Sequence, residues 1–203
     1  AIPTTYHFWQ QHQGSRRGPG YLRRWIAGET VGTRLRRLGT ETVPYMLRVL
    51  RAVGSAIAYL HDAGQTHGAL SPDTIYVTPT GRVWLLGWQW ALPRGEIPAD
   101  VRPDARYTPL PREWGAGEWA PTPASDQWQL AASCFAILTG ELPPREEIPT
   151  VRWVRPDCPA NVGDLLDRAL TADAGMRFFS VASLLRAVEK ISSSGTPGLG
   201  GVE

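Results

Sequence analysis

The pattern of apolar and polar positions predicts short extended runs at the front of the chain and helices behind them. Tyr6-His7-Phe8-Trp9 and Tyr21-Leu22-Arg23-Arg24-Trp25-Ile26 are rich in aromatic and branched residues and predict two strands, with the polar stretch Gln10 to Gly20 as a hairpin loop. Glu29 to Arg37 predicts a short helix that stops near Gly39. The clearest periodic segment is Thr42 to Ala63, where Val49, Leu50, Val53, Ile57 and Leu60 form one apolar stripe. Thr42 can cap that helix, Pro44 suits its first turn and Gly64 can end it. Thr74 to Val77 and Arg82 to Leu86 predict strands joined by the turn Thr78-Pro79-Thr80-Gly81. Trp88 to Pro123 has no period and predicts a long loop. Ser125 to Thr139 is apolar on nearly every side, so it predicts a buried helix, ended by Gly140. Asn161 to Leu170 and Ser180 to Ile191 predict amphipathic helices, and the Ser- and Gly-rich segment 192–203 predicts a disordered tail. The fold class implied is α+β, mainly helical, with a small β edge.

Composition narrows the chemistry. A net charge of +2 over 203 residues gives no bulk electrostatic footprint for nucleic acid. Lys190 is the single lysine, so arginine carries almost all positive charge. Cys134 and Cys158 with four scattered histidines make no metal-ligand pattern, and no run of 18 apolar residues exists to span a membrane. The start has no signal-peptide layout, so a cytoplasmic setting is expected. Nine tryptophans are many for this length. Trp84, Trp88 and Trp90 alternate at period two, which predicts all three on one side of a strand.

The chemistry concentrates in His67-Gly68-Ala69-Leu70-Ser71-Pro72-Asp73-Thr74. This stretch resembles the protein-kinase catalytic loop H-R-D-L-x-x-x-N, in which the Asp accepts the substrate proton and the Asn holds a magnesium ion. His67 and Leu70 match. Gly68 stands at the Arg position, Ala69 at the Asp, Ser71 at the Lys that steadies the γ-phosphate, and Thr74 at the Asn. Eighteen positions after Ala69, Gly87-Trp88-Gln89 occupies the place of D-F-G: Gly87 replaces the metal-binding Asp and Gln89 the Gly, while Trp88 keeps an aromatic. Pro111-Arg112-Glu113 resembles A-P-E, and Ser125-Asp126-Gln127-Trp128-Gln129-Leu130 resembles S-D-x-W-S-L. Leu138-Thr139-Gly140-Glu141-Leu142-Pro143-Pro144 resembles L-T-G-x-x-P-F, and Leu170 to Arg177 resembles L-x-x-D-P-x-x-R. These motifs in order, at the family's spacing, identify a resemblance to bacterial Ser/Thr protein kinases over roughly residues 3–191.

The resemblance implies a kinase-like large lobe at residues 29–191. Residues 1–28 would be a remnant of the small lobe and hinge, and 192–203 a tail. It further implies that His67 packs on Trp88, that Asp126 holds the loop backbone, and that Glu113 pairs with Arg177. These are scaffold positions. The chemical positions are replaced at Gly68, Ala69, Ser71, Thr74, Gly87 and Gln89, and neither a Gly-rich loop nor a V-A-I-K lysine is present in the chain. The expectation is therefore a catalytically inactive pseudokinase with no cofactor and no metal. It would act as an interaction, scaffold or regulatory module on an unidentified protein partner, with an upstream or neighbouring segment completing the small lobe. The alternative is a divergent nucleotide sensor or unusual transferase that uses the old cleft.

Overall fold

The computed structural model describes residues 5–10, 19–23, 25–88, 91–93, 121–144 and 147–194, with 5–10, 19–23 and 192–194 as backbone only. Two antiparallel strands open it, β1 (Thr5–Gln10) and β2 (Pro19–Arg23), with Phe8 opposite Tyr21 and an irregularity between Thr5 and His7. The second expected strand is shorter than its aromatic run, since Trp25 and Ile26 lie beyond it.

A three-stranded antiparallel sheet follows, in the order β3 (Glu29–Thr30), β5 (Ile75–Val77), β6 (Val83–Leu85). The helix expected from Glu29 starts two residues later. Glu29 and Thr30 pair with Val77 and Tyr76, and extended Thr30 caps α1 (Val31–Leu38) by accepting from the Thr33 N–H. Helix α2 (Val43–Asp62) is capped by Thr42, which accepts from the Tyr45 N–H. The short strands β4 (Gln65–Thr66) and β7 (Leu92–Pro93) pair beyond it. Two residues carry no period, so these strands were invisible to a pattern-based reading.

Helix α3 (Pro123–Thr139) is the centre of the body. Ser125 to Leu138 are buried without exception, as an apolar helix with no polar face requires. Its entry is a capping box, with Thr122 accepting from the Ser125 N–H at 3.0 Å while Ser125 Oγ accepts from the Thr122 N–H at 2.8 Å. Around it stand α2, the single-turn α4 (Val151–Val154), α5 (Ala160–Leu170) and α6 (Val181–Ser194). Ser192 to Ser194 thus continue α6 rather than joining the expected tail; residues 195–203 lie outside the described residues. Gly54 lets α6 come close to α2, because an added Cβ would sit 2.9 Å from Leu185 Cδ2.

The core runs between these layers. The stripe of α2 shares one core with Leu130, Phe135 and Ile137 of α3 and Leu184 and Val188 of α6, these last five at most 2% exposed. Each such side chain stabilises the fold by about 1.5–3 kcal/mol through burial. The β5–β6 ladder turns Ile75, Val77, Val83 and Leu85 into this core and leaves the facing pair Tyr76 and Trp84 half-buried on its other side. The fold is α+β and mainly helical.

Candidate functional site

The loop from His67 to Thr74 follows β4 and enters β5, and α3 clamps it. Asp126, in the first turn of α3, is fully buried. Its Oδ2 accepts from the His67 N–H at 2.8 Å and its Oδ1 from the Gly68 N–H at 2.7 Å. His61, at the end of α2, places Nε2 2.8 Å from the same Oδ2. One turn on, Gln129 accepts from the Leu70 N–H at 3.1 Å and donates to the Gly68 carbonyl at 3.1 Å. The spacing of three puts both side chains on one face of α3. Gly68 takes φ +71°, a left-handed conformation that costs glycine nothing, and its N–H and that of His67 both reach the carboxylate.

His67 is buried and makes two complementary contacts: Nε2 donates to the Leu86 carbonyl at 2.8 Å, and Nδ1 accepts from the Ala69 N–H at 3.4 Å. Both are satisfied only by the neutral ring. Its edge meets Trp88 with ring centroids 5.3 Å apart and planes at 81°, while Trp88 Nε1 donates to the Leu85 carbonyl at 2.6 Å. Thr74 spends its hydroxyl within the loop, accepting from the Ser71 N–H and lying 3.0 Å from the Ser71 carbonyl. Asp73 turns outward and pairs with Arg36 at 3.2 Å. Among the described residues there is no cluster of three groups able to hold a metal ion.

Comparison with known proteins gives this geometry its context. The chain is 26% identical over 192 residues to the serine/threonine-protein kinase PknA of Mycobacterium tuberculosis H37Rv. It shows the same identity to PknA of Mycobacterium bovis AF2122/97; each alignment covers 85% of this chain and 42% of the relative. The chain is related to bacterial Ser/Thr protein kinases. It spans less than half the length of these kinases, and no protein-family model matches it.

Ala69, expected from the resemblance at the base position, carries only a methyl group, and Gly87, expected at the metal-binding position, has φ +87° and no side chain. Gln89, Trp90 and Glu113 lie outside the described residues, and with them the expected Glu113–Arg177 pair. Arg177 itself is 3% exposed. Its Nε donates to the Thr171 carbonyl at 2.7 Å, Nη1 to Ala124 at 3.0 Å and Nη2 to Ala172 at 3.3 Å. The three tryptophans expected on one strand face are not there together. Only Trp84 is in β6, stacked under Arg82 at 4.3 Å, and Trp88 follows the end of the strand. His61 and Gln129 belong to the clamp and were not singled out from sequence. The signal was available, since a buried carboxylate and amide in an apolar run must have partners.

Burial pushes the His67 imidazole below its ordinary value of 6.5, against the opposing charge of Asp126 and the Leu86 carbonyl. With the folded value depressed, the unfolded chain binds the proton more readily, so this contribution to stability is full above about pH 6.5 and is lost as pH falls below it. Urea midpoints are expected to drop between about pH 7.5 and 5.5. His67→Gln should flatten that slope, and an unchanged slope in the variant would reassign it to other groups.

Proposed function

We propose that the chain is a catalytically inactive kinase-like module, a pseudokinase that works by binding a protein partner in the cytoplasm. The observation that carries this reading is a built frame around absent chemistry. Asp126 and Gln129 fix residues 67–70 through four hydrogen bonds, yet the residue held at the base position is Ala69. Phosphoryl transfer depends on positioning together with metal and lysine electrostatics. Thr74 is tied to its own loop, Gly87 offers no ligand atom, and the single lysine, Lys190, lies on α6. A clamp of this kind is retained by folding alone, because breaking it strands buried polar groups.

Exposed aromatic side chains support the interaction role. Trp153 on α4 is 81% exposed and Phe179, before α6, is fully exposed. Tryptophan in particular is over-represented among residues that dominate protein interfaces. On this reading a neighbouring or upstream segment covers the outer face of the β5–β6 ladder.

The test is a titration with ATP and ADP, with and without magnesium, read by tryptophan fluorescence and calorimetry and paired with a radiolabel transfer assay. No saturable binding at about 1 mM and no transfer to a generic acceptor is the expected result. Micromolar, magnesium-dependent binding with transfer would overturn the proposal. Metal-independent binding alone would replace it with a nucleotide sensor.

A further inference from the structure

Two separate fastenings meet at the loop 67–70. The Asp126–Gln129 clamp holds its backbone, through the His67, Gly68 and Leu70 N–H groups and the Gly68 carbonyl. None of those bonds uses the His67 ring. The ring ties the loop to residues 86–88 instead: Nδ1 accepts from the Ala69 N–H at 3.4 Å, Nε2 donates to the Leu86 carbonyl at 2.8 Å, and the ring edge rests on Trp88. The Ala69 bond is the longer and weaker of the two. Gly87, between Leu86 and Trp88, has φ +87°, and a glycine has several other conformations open to it. Trp88 can therefore shift while the Leu86 N–H stays bonded to the Thr74 carbonyl at 2.8 Å.

A proton changes what this ring can do. Placed on Nδ1 it turns the acceptor into a donor, which then faces the Ala69 N–H donor to donor. Few groups can hold the imidazolium in its seat. From α3 the buried Asp126 carboxylate attracts it, but those oxygens already take two backbone N–H groups and His61 Nε2. From α2 the facing group is His61, an imidazole and no counter-charge, and Asp73 of the same loop turns outward to Arg36. Strands β4, β6 and β7 carry no ionisable side chain. Burial holds the seated imidazole below its ordinary value of 6.5, so an unseated ring takes a proton that the seated ring refuses. Unseating is therefore favoured as pH falls through about 6.5 and disfavoured above it.

We propose that His67 is a proton-operated latch between the loop 67–70 and Trp88. A proton from solvent on Nδ1 unseats the ring, breaks the Ala69 bond and uncovers Trp88, while the backbone clamp on Asp126 and Gln129 stays closed. Trp88 is half-buried against the core with the latch shut and becomes accessible surface at acid pH. The device draws on the hydrogen bonds of the ring and the glycine beside Trp88, so it stands whether or not the chain binds nucleotide.

The experiment is amide hydrogen exchange by NMR on the whole 203-residue chain. Protection of the Ala69 N–H is expected to fall about tenfold between about pH 7.5 and 5.5, which is what one proton drives on a group of ordinary value 6.5. At the lower pH, Ala69 exchange should be indifferent to about 1 M urea, because a local opening exposes little surface. Gly68 and Leu70, held by the clamp, should stay better protected and respond to urea. This contrast is read in the parent chain and needs no variant. The emission difference between the parent and Trp88→Phe reports Trp88 itself and should move to the red over the same range. His67→Gln should remove both changes, since its amide can donate and accept but takes no proton, and His61→Gln should leave both in place. The proposal is overturned if Ala69 protection is constant with pH or shares the urea dependence of Gly68 and Leu70. It is equally overturned if Trp88 emission does not move, or if the changes survive His67→Gln or vanish in His61→Gln.

Discussion

Replacing Asp126 by alanine is expected to cost roughly 3–9 kcal/mol, because three buried donors lose one acceptor at about 1–3 kcal/mol each. The carboxylate takes the His67 and Gly68 N–H groups and contacts His61, and the side chain is fully buried. A loss of that size is a large part of the about 5–15 kcal/mol that holds a domain together. Urea unfolding followed by tryptophan fluorescence measures it. Asp126→Asn should fall between, since the amide oxygen can serve one N–H while its NH2 faces the other. Asp164, exposed on α5, is the control, and its alanine variant should stay within about 0.5 kcal/mol of the parent. A cost below about 1 kcal/mol for Asp126→Ala would mean that the loop is held by something else.

The second large effect belongs to Arg177. Its guanidinium bridges the turn after α5 to the entry of α3 by donating to three backbone carbonyls. Arg177→Met keeps the aliphatic stem and strands all three, so a loss of about 3 kcal/mol or more is expected. In a thermal melt that is a drop of roughly 6–12 °C for a chain of this size. Arg177→Lys should recover little. An ammonium is a compact point donor and does not reproduce a planar fork spread over Thr171, Ala124 and Ala172. Near-complete rescue by lysine would show that charge, rather than the fan of hydrogen bonds, is what the site uses.

The apolar pattern of the chain marks both residues as ordinary, and only the motif resemblance singles them out. Asp126 is one acid in an apolar run, and Arg177 is one of many arginines. Their importance follows from burial, and burial belongs to the tertiary structure. The same holds for Gln127, whose amide exchanges two hydrogen bonds with the Phe178 backbone at 2.9 and 3.1 Å, and for Trp128, which donates to the Leu170 carbonyl at 3.2 Å. Four consecutive side chains of α3 thus reach three separate parts of the fold, which no periodic pattern records. Cys134 in the same helix is buried as well, and burial pushes its thiol pKa up, which leaves it unreactive.

By itself the sequence determined the local elements that carry their own signals. Helix α2 was legible because five apolar residues keep helical spacing between Thr42 and Gly64, and α3 because its uniform apolarity leaves burial as the single solution. The turn 78–81 was legible from its Pro and Gly, and the kinase relationship from motif order. What only the tertiary structure decided is which of those residues meet. Two-residue strands β3, β4 and β7 exist through pairing alone. Trp84 and Trp88 were separated by the end of β6, which a period-two count does not see. The joining of His61, Asp126 and Gln129 to one loop spans about sixty residues of chain. That the Tyr45 hydroxyl is buried with no hydrogen-bond partner among the described residues is likewise visible only in the folded chain. Local propensity is written in neighbours along the chain, whereas the satisfaction of buried polar groups is settled between residues far apart in it.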